Sequence, residues 1–279
     1  MSDVDLASVA GDPAGRNEDY AGVAANGVVV LDGVTEPADG DTGCRHGVAW
    51  YVEHLGPALL RAIDPRRGQA LASCLADAIS ETAAGHAATC DLSHTFTPQA
   101  TVALLRWTDD TLEYLVLSDA AILLAGPDGQ VTPVLDGRID RLSTRPDLTA
   151  LRQAIDRAEP GSAARDAAVR AHRAAWAALR NGADGFFTAA ADPEVVHHAV
   201  QGCLPRDQVT AAAALTDGGT RWTEVFGLGD WTALFGVLHR AGARALIDQV
   251  RAQENADPAR TAFPRGKTHD DASVVLVRF

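Results

Sequence analysis

The apolar positions change period several times along the chain. Residues 3–10 alternate loosely, and 20–24 and 28–31 are short apolar runs flanking Asn26-Gly27. That dipeptide favours a tight hairpin, because both central positions of the preferred turn need positive φ. The period then lengthens. Val48, Tyr51, Val52, Leu55, Leu59 and Ile63 fall on one face of a helix predicted over 45–63, and Leu71, Leu75 and Ile79 on a second over 70–84. A meander of four strands is predicted at 100–107, 111–117, 120–125 and 130–134, punctuated by Asp109-Asp110, Ser118-Asp119 and Pro127-Asp128-Gly129. Residues 148–180, rich in alanine and arginine, read as helix broken at Pro160-Gly161. Asp192-Pro193 caps and starts a short helix through Val200. A strand at 211–215, a long helix at 231–253 and a strand at 273–279 close the chain. Strands grouped apart from helices, with antiparallel hairpins and no repeat, give one α+β domain over residues 1–279.

Composition narrows the class. A chain of 279 residues, 47% hydrophobic and 22% charged, buries enough surface to fold without staples and lies far from the signature of disorder. Its net charge of −13 argues against nucleic acid as a partner. No apolar run approaches the roughly 18 residues of a membrane span, and the acidic start MSDVDLASVAGDP lacks a signal peptide's basic region. Cys44, Cys74, Cys90 and Cys203 show no C-x-x-C pair and no histidines at the usual zinc spacing, so they point to a reducing, cytoplasmic setting.

The chemistry-bearing pattern is an acidic residue placed repeatedly at a strand boundary. Val28-Val29-Val30-Leu31 runs into Asp32-Gly33, and Ala212-Ala213-Ala214-Leu215 runs through Thr216 into Asp217-Gly218. Glu18-Asp19 precedes an early strand and Asp270-Asp271 the last one. A strand end is a rigid mount, and the following glycine lets the backbone turn sharply or approach a ligand. Carboxylates converging from such mounts repel one another unless cations lie between them, and an all-oxygen set suits Mg²⁺ or Mn²⁺ rather than Zn²⁺. Asp39-Gly40, Asp128-Gly129 and Asp136-Gly137 lack the apolar strand in front and read as ordinary turns.

Taken in order, Arg16-Asn17-Glu18-Asp19, Val30-Leu31-Asp32-Gly33, Gln99-Ala100-Thr101-Val102-Ala103, Leu117-Ser118-Asp119-Ala120, Leu215-Thr216-Asp217-Gly218 and Asp270-Asp271-Ala272-Ser273-Val274 span nearly the whole chain. This set resembles the protein phosphatase 2C family of metal-dependent Ser/Thr phosphatases. The resemblance implies a four-layer α-β-β-α sandwich, two antiparallel sheets flanked by helices, with a binuclear Mn²⁺ or Mg²⁺ centre at one end. It implies that Asp32 bridges the ions, that the Gly33 carbonyl ligates one, and that Asp217 and Asp270 hold the other. Glu18 and Asp19 become a ligand and its supporting partner, in either order, and Asp119 serves a third, loosely held ion. The implied reaction is hydrolysis of phosphoserine or phosphothreonine in proteins by a metal-bridging hydroxide, with Asp32, Asp217 and Arg16 catalytic. A small phosphomonoester is the alternative substrate, and a phosphatase-like binding or regulatory module with little activity is the alternative function.

The chain departs from the family pattern at several places. Ala14 stands where the phosphate-binding arginine is expected, leaving Arg16 as its replacement. Val34-Thr35-Glu36-Pro37 follows Asp32-Gly33 without an evident general acid; His46 is a stand-in, with a helix cap or helix surface as its plainer role. Residues 138–182 occupy the position of the family's variable flap, and their arginines read as a solvated face or as a surface for phosphorylated protein. Gly266-Lys267-Thr268 lacks the rest of a P-loop, Gly227-Leu228-Gly229 lacks the third glycine of a dinucleotide fingerprint, and His197-His198 points to two helix faces. Trp222, Phe226, Trp231 and Phe235 read as core.

Overall fold

In the computed structural model, residues 2–34, 41–64, 68–159 and 161–279 are described. Thr35, Glu36, Pro37, the Asp39-Gly40 turn and Pro160 lie outside them. Strands β1 (Asp3–Val9), β10 (Ala272–Arg278), β9 (Ala211–Leu215), β6 (Ala121–Ala125) and β7 (Val131–Leu135) form one antiparallel sheet in that order. Strands β2 (Asp19–Ala24), β3 (Gly27–Gly33), β4 (Ala100–Trp107), β5 (Thr111–Leu117) and β8 (Val200–Pro205) form the other.

The period of two sorts each strand between two cores. Val28 and Val30 face inward with Ala103, Leu105, Ala212, Ala214, Val275 and Val277, filling the space between the sheets. Val29 and Leu31 face out onto α1 (Gly47–Ala62) and α2 (Leu71–His86), where Tyr51, Leu55, Leu59, Leu75 and Ile79 are fully buried. On the opposite side, Leu215, Val274 and Leu276 pack under α6 (Asp217–Glu224), α7 (Trp231–Ala241) and α8 (Ala243–Ala256). Strands with apolar side chains on both faces need cover on both, and helix–sheet–sheet–helix layering supplies it. The α+β class and the four-layer sandwich expected from the sequence are the observed architecture.

Three local expectations are corrected. The helix expected from Asp192 through Val200 is a 3₁₀ turn, Pro193–His198, after which the chain enters strand β8. The long helix at 231–253 divides at Gly242, whose φ of 90° breaks the ladder and separates α7 from α8. The meander expected at 100–134 divides between the sheets, β4 pairing with β5 in one and β6 with β7 in the other, because the chain crosses from sheet to sheet at the Ser118-Asp119 turn. The 138–182 region is helical as expected, as α3 (Arg138–Ser143), α4 (Pro146–Arg157) and α5 (Ala163–Leu179), gathered on a small core of Leu142, Leu148 and Phe186. Trp222, Phe226 and Phe235 are buried in the core under α6–α8, and Trp231 packs partly against it.

Candidate metal centre

At one end of the sandwich the inward face changes from apolar to polar while keeping its period. Val28 and Val30 are followed by Asp32, Ala212 and Ala214 by Thr216, and Val277 and Val275 are preceded by Ser273. Asp19 pairs with Asp32 across β2 and β3, and Thr101 pairs with Asp32 from β4. Hydrogen bonds knit this end across the two sheets. Thr216 Oγ1 donates to Asp19 Oδ2 at 2.9 Å and accepts from the Ser273 backbone N–H at 2.9 Å, while Ser273 Oγ meets Ser8 Oγ at 2.8 Å.

Two glycines permit the close approach. A Cβ on Gly33 would lie 2.5 Å from the Glu18 carbonyl oxygen, to which the Gly33 N–H donates at 3.0 Å. A Cβ on Gly218 would lie 1.9 Å from the Asp271 carbonyl oxygen. Asp271 anchors the first loop, its carboxylate accepting from the backbone N–H groups of Gly11 and Glu18 at 2.7 and 2.6 Å. Asp119 enters from the β5–β6 turn, where Ser118 takes a φ of 69°.

The resulting carboxylates are held against their electrostatic preference. Burial, then repulsion from Asp217, Asp19, Asp119 and Asp270, pushes the Asp32 carboxyl well above its ordinary range. Burial also raises Asp19 strongly, although the Ser273 and Thr216 hydroxyls offset part of the effect. Asp217 is raised by burial and by Asp270, and its carboxyl lies within hydrogen-bonding reach of Asp32. Asp119, raised by burial and by Asp217, reaches about 7. Asp19 Oδ1 and Asp119 Oδ1 are buried without a hydrogen bond. Buried carboxylate oxygens without donors are costly unless a cation or proton satisfies them, so this all-oxygen set fits hard divalent ions.

Asp270 differs from the others. Lys267 Nζ lies 2.7 Å from its Oδ1 and Arg221 NH2 2.5 Å from its Oδ2. Arg221 also pairs with the buried Glu254 at 2.6 Å. Burial pulls the Lys267 ammonium down, yet Asp270, Asp32 and Glu18 hold it above its usual range. Glu18 is half-buried beside these groups. A cleft of about 270 Å³, lined by Asp119, Asp217, Asp136, Asp140, Glu224 and Arg221 among others, opens next to the cluster.

The structure therefore gathers Asp19, Asp32, Asp119, Asp217 and Asp270, with Glu18 and Gly33 at their edge. It does not bring Arg16 to the same cleft: Arg16 is exposed and lines a separate groove with Ser8, Asn17, Asp19 and Glu53. Residues the motifs did not single out complete the site. Thr216 and Ser273 could have been found from the period of two, whereas Arg221 and Lys267 carry no local signal. Arg180, just after α5, has its pKa lowered by burial, which the nearby Asp119 charge offsets in part, and leaves its Nε buried without a hydrogen bond. His46 sits at the N-cap of α1 without capping it, and its ring turns toward Cys44 and Cys90. The expectation of cysteines without histidine companions fails here, because the partners come together in space from separate elements.

Comparison with known proteins agrees with the architecture. Residues 15–144 match the sequence family described as Protein phosphatase 2C. Among solved structures, the Mycobacterium tuberculosis serine/threonine phosphatase PstP/Ppp superposes with a TM-score of 0.57 at 16% identity, covering 100% of this chain and 98% of its own. PppA, described as a key regulatory component of T6SS in Pseudomonas aeruginosa, gives 0.56 at 15%, covering 99% and 97%. The serine/threonine phosphatase Stp1 of Staphylococcus aureus gives 0.57 at 11%, covering 100% and 95%. No curated protein sequence matches the chain.

Proposed function

We propose that this chain is a divergent member of the protein phosphatase 2C family and a metal-dependent phosphatase acting on phosphoserine or phosphothreonine in proteins. The observation that carries this reading is the convergence of Asp32, Asp217 and Asp119, from strand ends in both sheets, with buried carboxylate oxygen left unpaired. In this assignment Asp32, the Gly33 carbonyl, Glu18, Asp217 and Asp270 would hold the ions, and Asp119 would serve a further one. Asp19, fixed by Thr216 and lying opposite Asp32, is the supporting carboxylate beneath the site.

The ions are taken to be Mn²⁺ or Mg²⁺; the PstP catalytic domain, a relative at 13% identity, is described in complex with two manganese ions. When bound, such ions supply Lewis-acid stabilisation of phosphoryl oxygens and activate water for in-line attack. The chain's own residues set where this occurs. The rigid strand ends fix the carboxylates, the hydrogen bond from Thr216 to Asp19 ties one sheet to the other, and the adjoining cleft admits the substrate. Its acidic lining repels a phosphate until cations offset it, so the guanidinium groups of Arg221 and Arg265 in that lining matter. Arg16, two residues before Glu18, is exposed in the groove beside Asp19 and lies outside this cleft, so no phosphate contact is assigned to it. No helix among the described residues is long and apolar enough to cross a membrane.

One observation favours the second reading, a phosphatase-like module with little turnover: both oxygens of Asp270 are engaged by Lys267 and Arg221. Phosphate release from a phosphothreonine peptide and from an aryl phosphate, with and without Mn²⁺, separates the two. The phosphatase reading expects Mn²⁺-dependent turnover that Asp32→Asn and Asp217→Asn each reduce by at least about 100-fold, more than loss of an outer-shell partner costs. Undiminished turnover in both variants refutes the assignment of the site, and absence of Mn²⁺-dependent turnover on both substrates leaves the module reading.

A further inference from the structure

We propose that Cys44, His46, His86 and Cys90 form a structural zinc site that ties the segment after β3 to the end of α2 and the loop leading into β4. The four ligand atoms, two thiol sulfurs and two imidazole nitrogens, all lie within 4.8 Å of one another. Cys44 Sγ is 3.6 Å from His46 Nδ1 and 3.4 Å from His86 Nδ1, and Cys90 Sγ is 3.3 Å from His46 Nδ1. Zinc at about 2.3 Å from sulfur and about 2.0–2.1 Å from nitrogen, in a tetrahedron, gives sulfur–nitrogen edges of about 3.6 Å. The observed edges match that figure to within a few tenths of an ångström.

The donor set is the closed Cys₂His₂ type that leaves no position for substrate, which makes the site structural. Two thiolates neutralise the ion, so the half-buried cluster carries no net charge. Burial raises the Cys44 thiol above its ordinary range, an effect that the backbone N–H groups of His46 and Gly47, at the start of the 16-residue helix α1, offset in part. Stacking of His46 on Trp50, with centroids 4.5 Å apart and planes inclined by 25°, fixes one imidazole; Trp50 lies 5.0 Å from the other, His86. The loops are already matched, since the Asp91 N–H donates to the Gly43 carbonyl at 2.8 Å. Gly43 takes a φ of +67° with no room for a Cβ against His94.

The sequence conceals this site because its halves, Cys44-x-His46 and His86-x-x-x-Cys90, are some forty residues apart and each is too short to signal. The proposal does not depend on the hydrolytic reading, since none of the four residues belongs to the acidic cluster. Its place in the fold gives it a role: Cys44 and His46 lie just before α1, which packs on β3, and Cys90 lies in the loop that enters β4, which carries Thr101 beside Asp32.

Elemental analysis of the purified full chain tests it. One zinc per chain is expected, retained through dialysis against a chelator and released when a mercurial blocks the thiols. Cys90→Ser and His86→Asn should lose the zinc, while Asp32→Asn and Cys203→Ser should keep it. Should Cys90→Ser fail to fold, cobalt exchanged into the wild-type chain gives the second reading, as tetrahedral d–d absorption with a thiolate-to-cobalt charge-transfer band. Metal-free protein with no such cobalt spectrum, a Cys44–Cys90 disulfide in the purified chain, or full zinc retention in folded Cys90→Ser would each overturn the proposal.

Discussion

Lys267, the single lysine of the chain, stands among carboxylates assigned to a metal, and its ammonium occupies one oxygen of Asp270. A fixed cation beside an acidic cluster lowers the cluster's appetite for divalent ions. Removing it with Lys267→Met should tighten Mn²⁺ binding by about tenfold, or ~1.4 kcal/mol. Equilibrium titration of Mn²⁺ against both chains checks this, and unchanged or weaker binding would show that Lys267 does not compete. The lysine was visible in sequence only as a false P-loop ending, since nothing local says that residue 267 turns back onto Asp270. Asp32 and Asp217 were legible for the opposite reason: each follows an apolar strand and precedes glycine, so sequence alone fixes both mount and turn. Arg16 shows the limit of transferring a role by proximity, because two residues' distance from Glu18 leaves its side chain in another groove.

The strands were the most legible elements, because their cores demand a strict period and their turns carry Asp, Asn and Gly. Strand β8 was missed: it lies at a sheet edge beside β5, alternates between exposed and half-buried positions, and includes Gly202 and Cys203, so it lacks an apolar signature. The end of the inner layer, where β2, β3 and β9 present carboxylates, has a consequence for stability. Burial and mutual repulsion hold Asp19, Asp32, Asp119 and Asp217 above the unfolded value of about 3.9, with Asp119 at about 7. The metal-free folded chain therefore binds more protons than the unfolded chain between about pH 4 and about pH 7. The stability these groups contribute is complete below about pH 4 and is lost as pH rises through about 7. Thermal unfolding of chelator-treated protein should show Tm falling between about pH 5 and about pH 7.5, with Mn²⁺ removing most of that fall. A metal-free Tm that stays level or rises across this window would contradict it.

At the scale of the whole molecule, the net charge of −13 first served only to set nucleic acid aside. The fold gives part of that charge a location, at one end of a four-layer sandwich where strand ends from both sheets converge. The layer order followed from the family resemblance, whereas the strand order did not follow from the hydrophobic period, since the expected meander divides between the two sheets. The convergence itself needed three dimensions, since Asp19 and Thr216 meet across 197 residues of sequence. Titration calorimetry of Mn²⁺ into the chelator-stripped chain, beside Asp32→Asn, tests that convergence most directly. The account predicts two ions per chain bound by the wild type and the loss of that binding in Asp32→Asn; no binding heat in the wild type, or identical binding in the variant, would contradict it.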